Sequence, residues 1–352
     1  MDYNDRNENL SVNNIENSTD ATPVIEKHNP AISQEAQPAN ETNNQKKKSV
    51  LPYILLPVAM FVAKLINSGI VAVSMILGPI LQTELGITPQ ASSLINSIGS
   101  IIGGVLYIAV IIAFSLCCKT LVKKVLFVTS TYVGAVSSVF SSCLMLVLFS
   151  IFFIIGEMPY TTQTLVISLV TSLNGILSSI LAIAFAVIFF IAIDKYKEKR
   201  VEGEAPAFSF KKFLVPSILI VIVGVISLIT NTVNELVPAT ILESTGGFGN
   251  VWGSFVVTNA TSLVGLIIFW GALIGLSFII KDKYKRLTFI CSTVSGRGIV
   301  DIITTIGSML ASLLPVASGG VNFIFRIIFF AISAAAGILI YILLNKKEYE
   351  KV

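Results

Sequence analysis

From Val50 to Leu344 the chain alternates long apolar blocks with short polar connections. The blocks fall at roughly 50–81, 94–117, 125–155, 164–193, 213–235, 256–280, 288–315 and 321–344. A helix of about 20 apolar residues covers the ~30 Å of hydrocarbon in a bilayer at ~1.5 Å per residue. A water-soluble reading would require eight helices apolar on every face, with no amphipathic helix left to cover them. The pattern therefore predicts an all-α, polytopic transmembrane helix bundle of about eight spans.

Composition sharpens this expectation. Charged residues make up 12% of the chain, against about 25% in an ordinary soluble domain. The net charge of +4 carries no nucleic-acid signal, because the positive residues are distributed by side of the membrane. All but three of the 24 Lys and Arg residues lie in the two tails or in the connections after the second, fourth and sixth blocks. The connections after the first, third, fifth and seventh have none. Positive residues collect on the cytosolic side, so a multi-pass cell-membrane protein with both termini in the cytosol is expected. The alternation also checks the span count, since an error of one would scramble the sides.

Residues 1–49 hold ten Asn, eight acidic and five basic residues with no apolar clustering. Such a segment buries too little surface to offset its chain entropy and is expected to be disordered. Met1 is not followed by a charged-apolar-cleavage pattern, so no leader is expected.

The blocks repeat. Lys47-Lys48-Ser49-Val50-Leu51-Pro52 parallels Lys211-Lys212-Phe213-Leu214-Val215-Pro216. Lys123-Lys124 parallels Lys285-Arg286, and Ser130-Thr131 with Gly134 parallels Ser292-Thr293 with Gly296. Asn96 matches Asn259, while Pro79 and Glu84 match Pro238 and Glu243. The offsets stay between about 159 and 164 residues and run in order along the chain. The expected organisation is a tail (1–49), a four-span repeat (50–200), a cytosolic linker (201–212), a second four-span repeat (213–345) and a short cytosolic tail (346–352). Four spans is an even number, so the two copies insert with the same orientation, related by an axis along the membrane normal. Pro79 and Pro238 argue against one straight helix in the regions after spans 1 and 5. Trp252 is expected at the outer interface. Gly99-x-x-x-Gly103 and Gly271-x-x-x-Gly275 are expected to allow close helix contacts.

The residues that stand out are charges inside apolar blocks. Arg297 lies 11 residues, ~16 Å of helix, beyond Arg286, near the bilayer centre. Asp301 follows one turn later on the same face, where it can pair with Arg297. The first repeat has Ala135 and Val139 at these places. The pair has two readings, a coupling or binding site and a self-neutralising structural pair. Lys64 lies ~22 Å up its helix, expected either to snorkel outward or to pair with Asp301, Glu235 or Glu84. Glu235 near the outer end of span 5 completes the intramembrane candidates, and Arg326 is expected to snorkel from span 8.

No catalytic, cofactor or metal residues are expected. The single histidine, His28, lies in the tail, the four cysteines show no Cys-x-x-Cys spacing, and no phosphate loop is present. Two function classes remain. One is a transporter or lipid-handling permease with a path at the repeat interface. The other is a non-catalytic scaffold or accessory subunit that assembles with membrane-protein partners or with itself. The lipid bilayer is the expected surrounding, and nucleic acid is not an expected partner. A third reading, a lipid-directed enzyme acting through Glu84, Glu157 or Glu243, has less in its favour.

Overall fold

A computed structural model describes residues 50–86, 88–156, 159–200, 210–244, 251–313 and 319–345. The polar tail, residues 201–209 of the linker and the C-terminal residues 346–352 lie outside the described residues.

The described chain is helical. The elements are α1 (Leu51–Leu85), α2 (Pro89–Ser115), α3 (Leu121–Val133), a 3-10 turn (Gly134–Val136), α4 (Ser137–Ile155), α5 (Tyr160–Arg200), α6 (Phe210–Ser244), α7 (Val251–Ser277), α8 (Lys283–Leu313) and α9 (Gly319–Asn345). The ends nearest the lysine clusters are fixed by short-range chemistry. Thr120 accepts from the Lys123 amide at the start of α3, and Asp282 accepts from the amides of Tyr284 and Lys285 at the start of α8. These side chains satisfy amides that the first turn leaves without partners. After α7, the Arg286 guanidinium donates twice to the Ile280 carbonyl and lies 4.6 Å from the Phe278 ring centroid.

Seven segments are long and apolar enough to cross a membrane: Leu51–Ser74, Ser97–Ser115, Leu121–Ile155, Leu165–Lys197, Phe213–Pro238, Trp252–Ser277 and Phe325–Asn345. This fits a multi-pass membrane protein. The block at 288–315 differs from its seven companions. Helix α8 is long enough at 31 residues, but Thr288, Ser292, Thr293, Ser295, Arg297 and Asp301 make it too polar to qualify. Its hydroxyls turn inward: Thr288, Ser292 and Ser295 are fully buried. Ser292, Thr293 and Ser295 each donate to the carbonyl four residues back, at 2.7, 2.8 and 2.7 Å. A hydroxyl so bonded is satisfied within its own helix, so a polar helix can be packed in the bundle rather than against lipid.

Two expectations about helix continuity change. Pro79 and Pro238 do not break their helices: α1 and α6 are each 35 residues long, and both prolines sit in the last few turns, where one missing amide bond disturbs little. The third block, in contrast, is interrupted at Gly134–Val136 by the 3-10 turn.

Packing gathers these helices into one unit. Helix α1 packs on α2, and α6 on α7; α3 and α4 pack on α5, and α8 on α9. Helix α1 also meets α5 as α6 meets α9, and α2 meets α3 as α7 meets α8. Between these groups α4 packs on α7, α2 on α8, α5 on α8, α3 on α9, and α3 on α8. One apolar core centres on Leu56, Met60, Phe127 and Phe190, and a second on Val223, Leu273, Phe289 and Tyr341.

Two crossings are so close that only glycine fits. A Cβ on Gly134 would lie 2.7 Å from the Ala182 carbonyl oxygen, and one on Gly296 would lie 2.5 Å from that of Ser333. Of the two glycine motifs, Gly99 and Gly103 face Ser74 and Asn67 of α1 without room for a Cβ, as expected. Gly271 and Gly275 have nothing within 4 Å. In that helix it is Gly265 that admits a neighbour, Asn234 of α6.

Candidate functional site

A cavity of about 520 Å³ opens among α1, α2, α3, the 3-10 turn, α4, α5, α7 and α8. Lys64 and Arg297 both line it. Lys64 is 13 residues into α1 and Arg297 is 14 residues into α8, each ~20 Å of helix from its lysine-rich end. The two cations therefore reach the cavity at similar depth, from helices far apart in sequence.

Neighbouring side chains define how each is held. The half-buried Lys64 Nζ donates to Ser179 Oγ on α5 at 3.3 Å. The Arg297 guanidinium lies over the Phe269 ring of α7, 4.4 Å from its centroid, and Nη2 donates to Asn231 Oδ1 of α6 at 3.4 Å. A planar cation stacked on a ring keeps its in-plane donors available for other acceptors. Immediately after Arg297, Gly298 admits the ring of Tyr132 where a Cβ would clash.

The rest of the wall is mixed. Tyr107, Tyr132, Phe269 and Trp270 supply aromatic surface, and Thr131, Ser137, Ser138 and Asn67 supply polar groups. Gly134 and Ala135, in the 3-10 turn, also border it. A 3-10 turn in mid-helix marks a place where the backbone ladder changes register, here against the cavity itself. No Asp or Glu is among the described residues that line it.

The other sequence candidates are placed as follows. Glu235 and Asp301 lie in α6 and α8, but their side chains are outside the described residues, so the Arg297–Asp301 pairing is not decided. Arg326 on α9 donates from Nη1 to Thr232 Oγ1 of α6 at 3.4 Å, a cross-helix contact rather than simple snorkelling. Trp252 is the second residue of α7 and fully buried, its ring stacked on Phe152 and close to Phe149. Among the described residues no group of three or more His, Cys, Asp or Glu could hold a metal ion.

One buried charge escaped the sequence reading. Asp194, only 2% exposed near the lysine-rich end of α5, accepts from the Tyr53 hydroxyl of α1 and pairs with Lys123 of α3 at 3.4 Å. It stands one residue past the fourth apolar block, where a carboxylate reads as part of the solvated connection. The cavity aromatics were missed for another reason, that Tyr and Phe in an apolar block read as core. A signal was present in the spacing: Phe269 follows Tyr107 by 162 residues, within the range of offsets that relate the two halves.

Comparison of the chain with protein-family models, with curated proteins and with solved structures finds no match.

Proposed function

We propose that this chain is a permease-like protein of the cell membrane, with both termini cytosolic and a substrate path where two parallel four-span repeats meet. The cavity shared by α1–α5 with α7 and α8 carries this reading, because it joins residues of both halves at mid-depth. Paths at repeat interfaces near the bilayer midplane are the usual design of duplicated transporters.

The packing supports the duplication. With α1, α2, α3–α4 and α5 matched to α6, α7, α8 and α9, each helix pairing in one half has its counterpart in the other. The same match turns the α4–α7 contact into the α8–α2 contact and the α5–α8 contact into the α9–α3 contact, leaving the α3–α8 crossing on the axis. The tight crossings of Gly134 on Ala182 and Gly296 on Ser333 correspond in the same way. In this arrangement α8 is the eighth crossing, its polar face turned to protein.

Cysteine labelling tests the path. In a variant whose four native cysteines are replaced, a cysteine at Ala135, on the cavity wall, should react with a charged methanethiosulfonate. One at Leu339, 59% exposed on the bundle's exterior and facing lipid in this reading, should not. Protection of position 135 in a folded protein would move the assignment to a scaffold or accessory subunit with a closed interior.

A further inference from the structure

Lys64 and Arg297 bring two positive charges to one cavity, and no described residue on its wall brings a negative one. A cation at this depth is costly, and such groups in membrane proteins face protein or water and mark substrate paths. Two like charges sharing a space of low dielectric add mutual repulsion. A bound anion cancels both penalties at once. The hydroxyls of Thr131, Ser137 and Ser138 extend the donor set, while four aromatic rings provide surface for an apolar body.

Resting on the reading of this cavity as a substrate path, we infer that it binds a small amphipathic oxyanion, a phosphate or carboxylate carried on an apolar body. The volume of about 520 Å³ lies within the ~300–1,000 Å³ of small-molecule sites. Arg297 provides the planar fork for two oxygens, and Lys64 a compact charge on a flexible stem. Because the cations come from opposite halves of the chain, an anion between them also draws the halves together. The same chemistry is offered by a soluble organic anion and by the headgroup of an anionic lipid.

Trp270 lines the cavity and is one of two tryptophans, so Trp252→Phe leaves it as the sole indole reporter. The full chain in phosphatidylcholine nanodiscs should show a saturable change in Trp270 emission with phenyl phosphate and a much weaker one with phenol. Lys64→Met and Arg297→Gln should each weaken phenyl phosphate binding about tenfold or more, as expected for charge-assisted bonds. Lys64→Arg and Arg297→Lys should retain part of it. Asp301→Asn removes a negative charge one turn from Arg297 and should bind as tightly or tighter. In nanodiscs containing phosphatidylglycerol, competition with phenyl phosphate would identify the lipid headgroup as the anion; its absence would identify a soluble one. Equal responses to phenol and phenyl phosphate, unchanged binding in folded Lys64→Met, or weaker binding in folded Asp301→Asn would overturn the anion site. Labelling at position 135 is independent of these outcomes, so the path can stand where the anion site falls.

Discussion

The guanidinium of Arg297 lies 4.4 Å from the ring centroid of Phe269, joining α8 to α7 at the cavity wall. The stacking explains how a polar helix keeps a cation at mid-membrane depth. The ring shields one face of the guanidinium, while its edge remains directed at acceptors such as Asn231.

Phe269→Leu preserves volume and removes the ring, and should destabilise the folded protein by about 0.5–2 kcal/mol, the range of a partly desolvated cation–π contact. Phe269→Tyr should cost less. Thermal unfolding in a mild detergent would check the order, and equal melting of Leu and Tyr variants would deny the stacking any energetic role.

The glycines separate by what surrounds them. Gly296→Ala places a Cβ 2.5 Å from the Ser333 carbonyl oxygen, and the backbone shift it forces should cost about 1–3 kcal/mol. Gly134→Ala should behave alike against Ala182. Gly271→Ala meets nothing within 4 Å and should be neutral or stabilising by up to ~1 kcal/mol through helix propensity. The measurement is again the melting temperature; a Gly296→Ala protein as stable as the wild type would mean that the α8–α9 crossing is looser than described.

Asp194 ties α1, α3 and α5 at their lysine-rich ends through Tyr53 and Lys123. Asp194→Asn should destabilise by about 1–3 kcal/mol, as for hydrogen bonds to a charged group. Lys123→Met should cost less, because the Lys123 side chain is 34% exposed and water already screens it. Reversal of that order, read from denaturant unfolding, would place the weight on the lysine instead.

Adjacent cysteines should react differently. Cys117 is exposed and Cys118 buried in the connection between α2 and α3, and burial pushes the Cys118 thiol above its usual range. With both termini cytosolic, a membrane-impermeant maleimide should label Cys117 from the cytosolic side of inside-out vesicles and leave Cys118 unmodified until denaturation. Labelling of Cys117 from right-side-out vesicles would invert the topology.

The eighth crossing can be tested at its two ends. In a cysteine-free background, a cysteine at Lys283 should label from the cytosolic face and one at Gly319 from the outer face. Both on one face would mean that α8 lies within the membrane without crossing it, and that the count of seven apolar segments is also the count of crossings.

Much of the architecture follows from block length alone, since an apolar run of 20 or more residues has few outcomes other than a spanning helix. The helix positions, the Asn67–Gly103 approach and the placement of Arg297 within a helix were all legible on that basis. What was not legible depends on which neighbour a side chain meets. Pro79 and Pro238 read as breaks, yet near a helix end the loss of one amide bond is tolerated. Gly134 gave no sign that its helix would tighten into a 3-10 turn, because that depends on the close approach of Ala182. Lys64 looked like a snorkelling residue until α5 and α8 were seen to close around the same space. Asp194 shows the converse, a charge dismissed as solvated because its burial is created wholly by α1 and α3.

The walls of the cavity come from both sides of the connection at residues 201–209, with Lys64 before it and Arg297 after it. Severing the chain there would leave two polypeptides, each carrying one of the charges and neither a receptor. Co-expressed fragments would regain the cavity only by finding each other in the bilayer, so complementation between them would report docking of the two halves without any need to know the ligand.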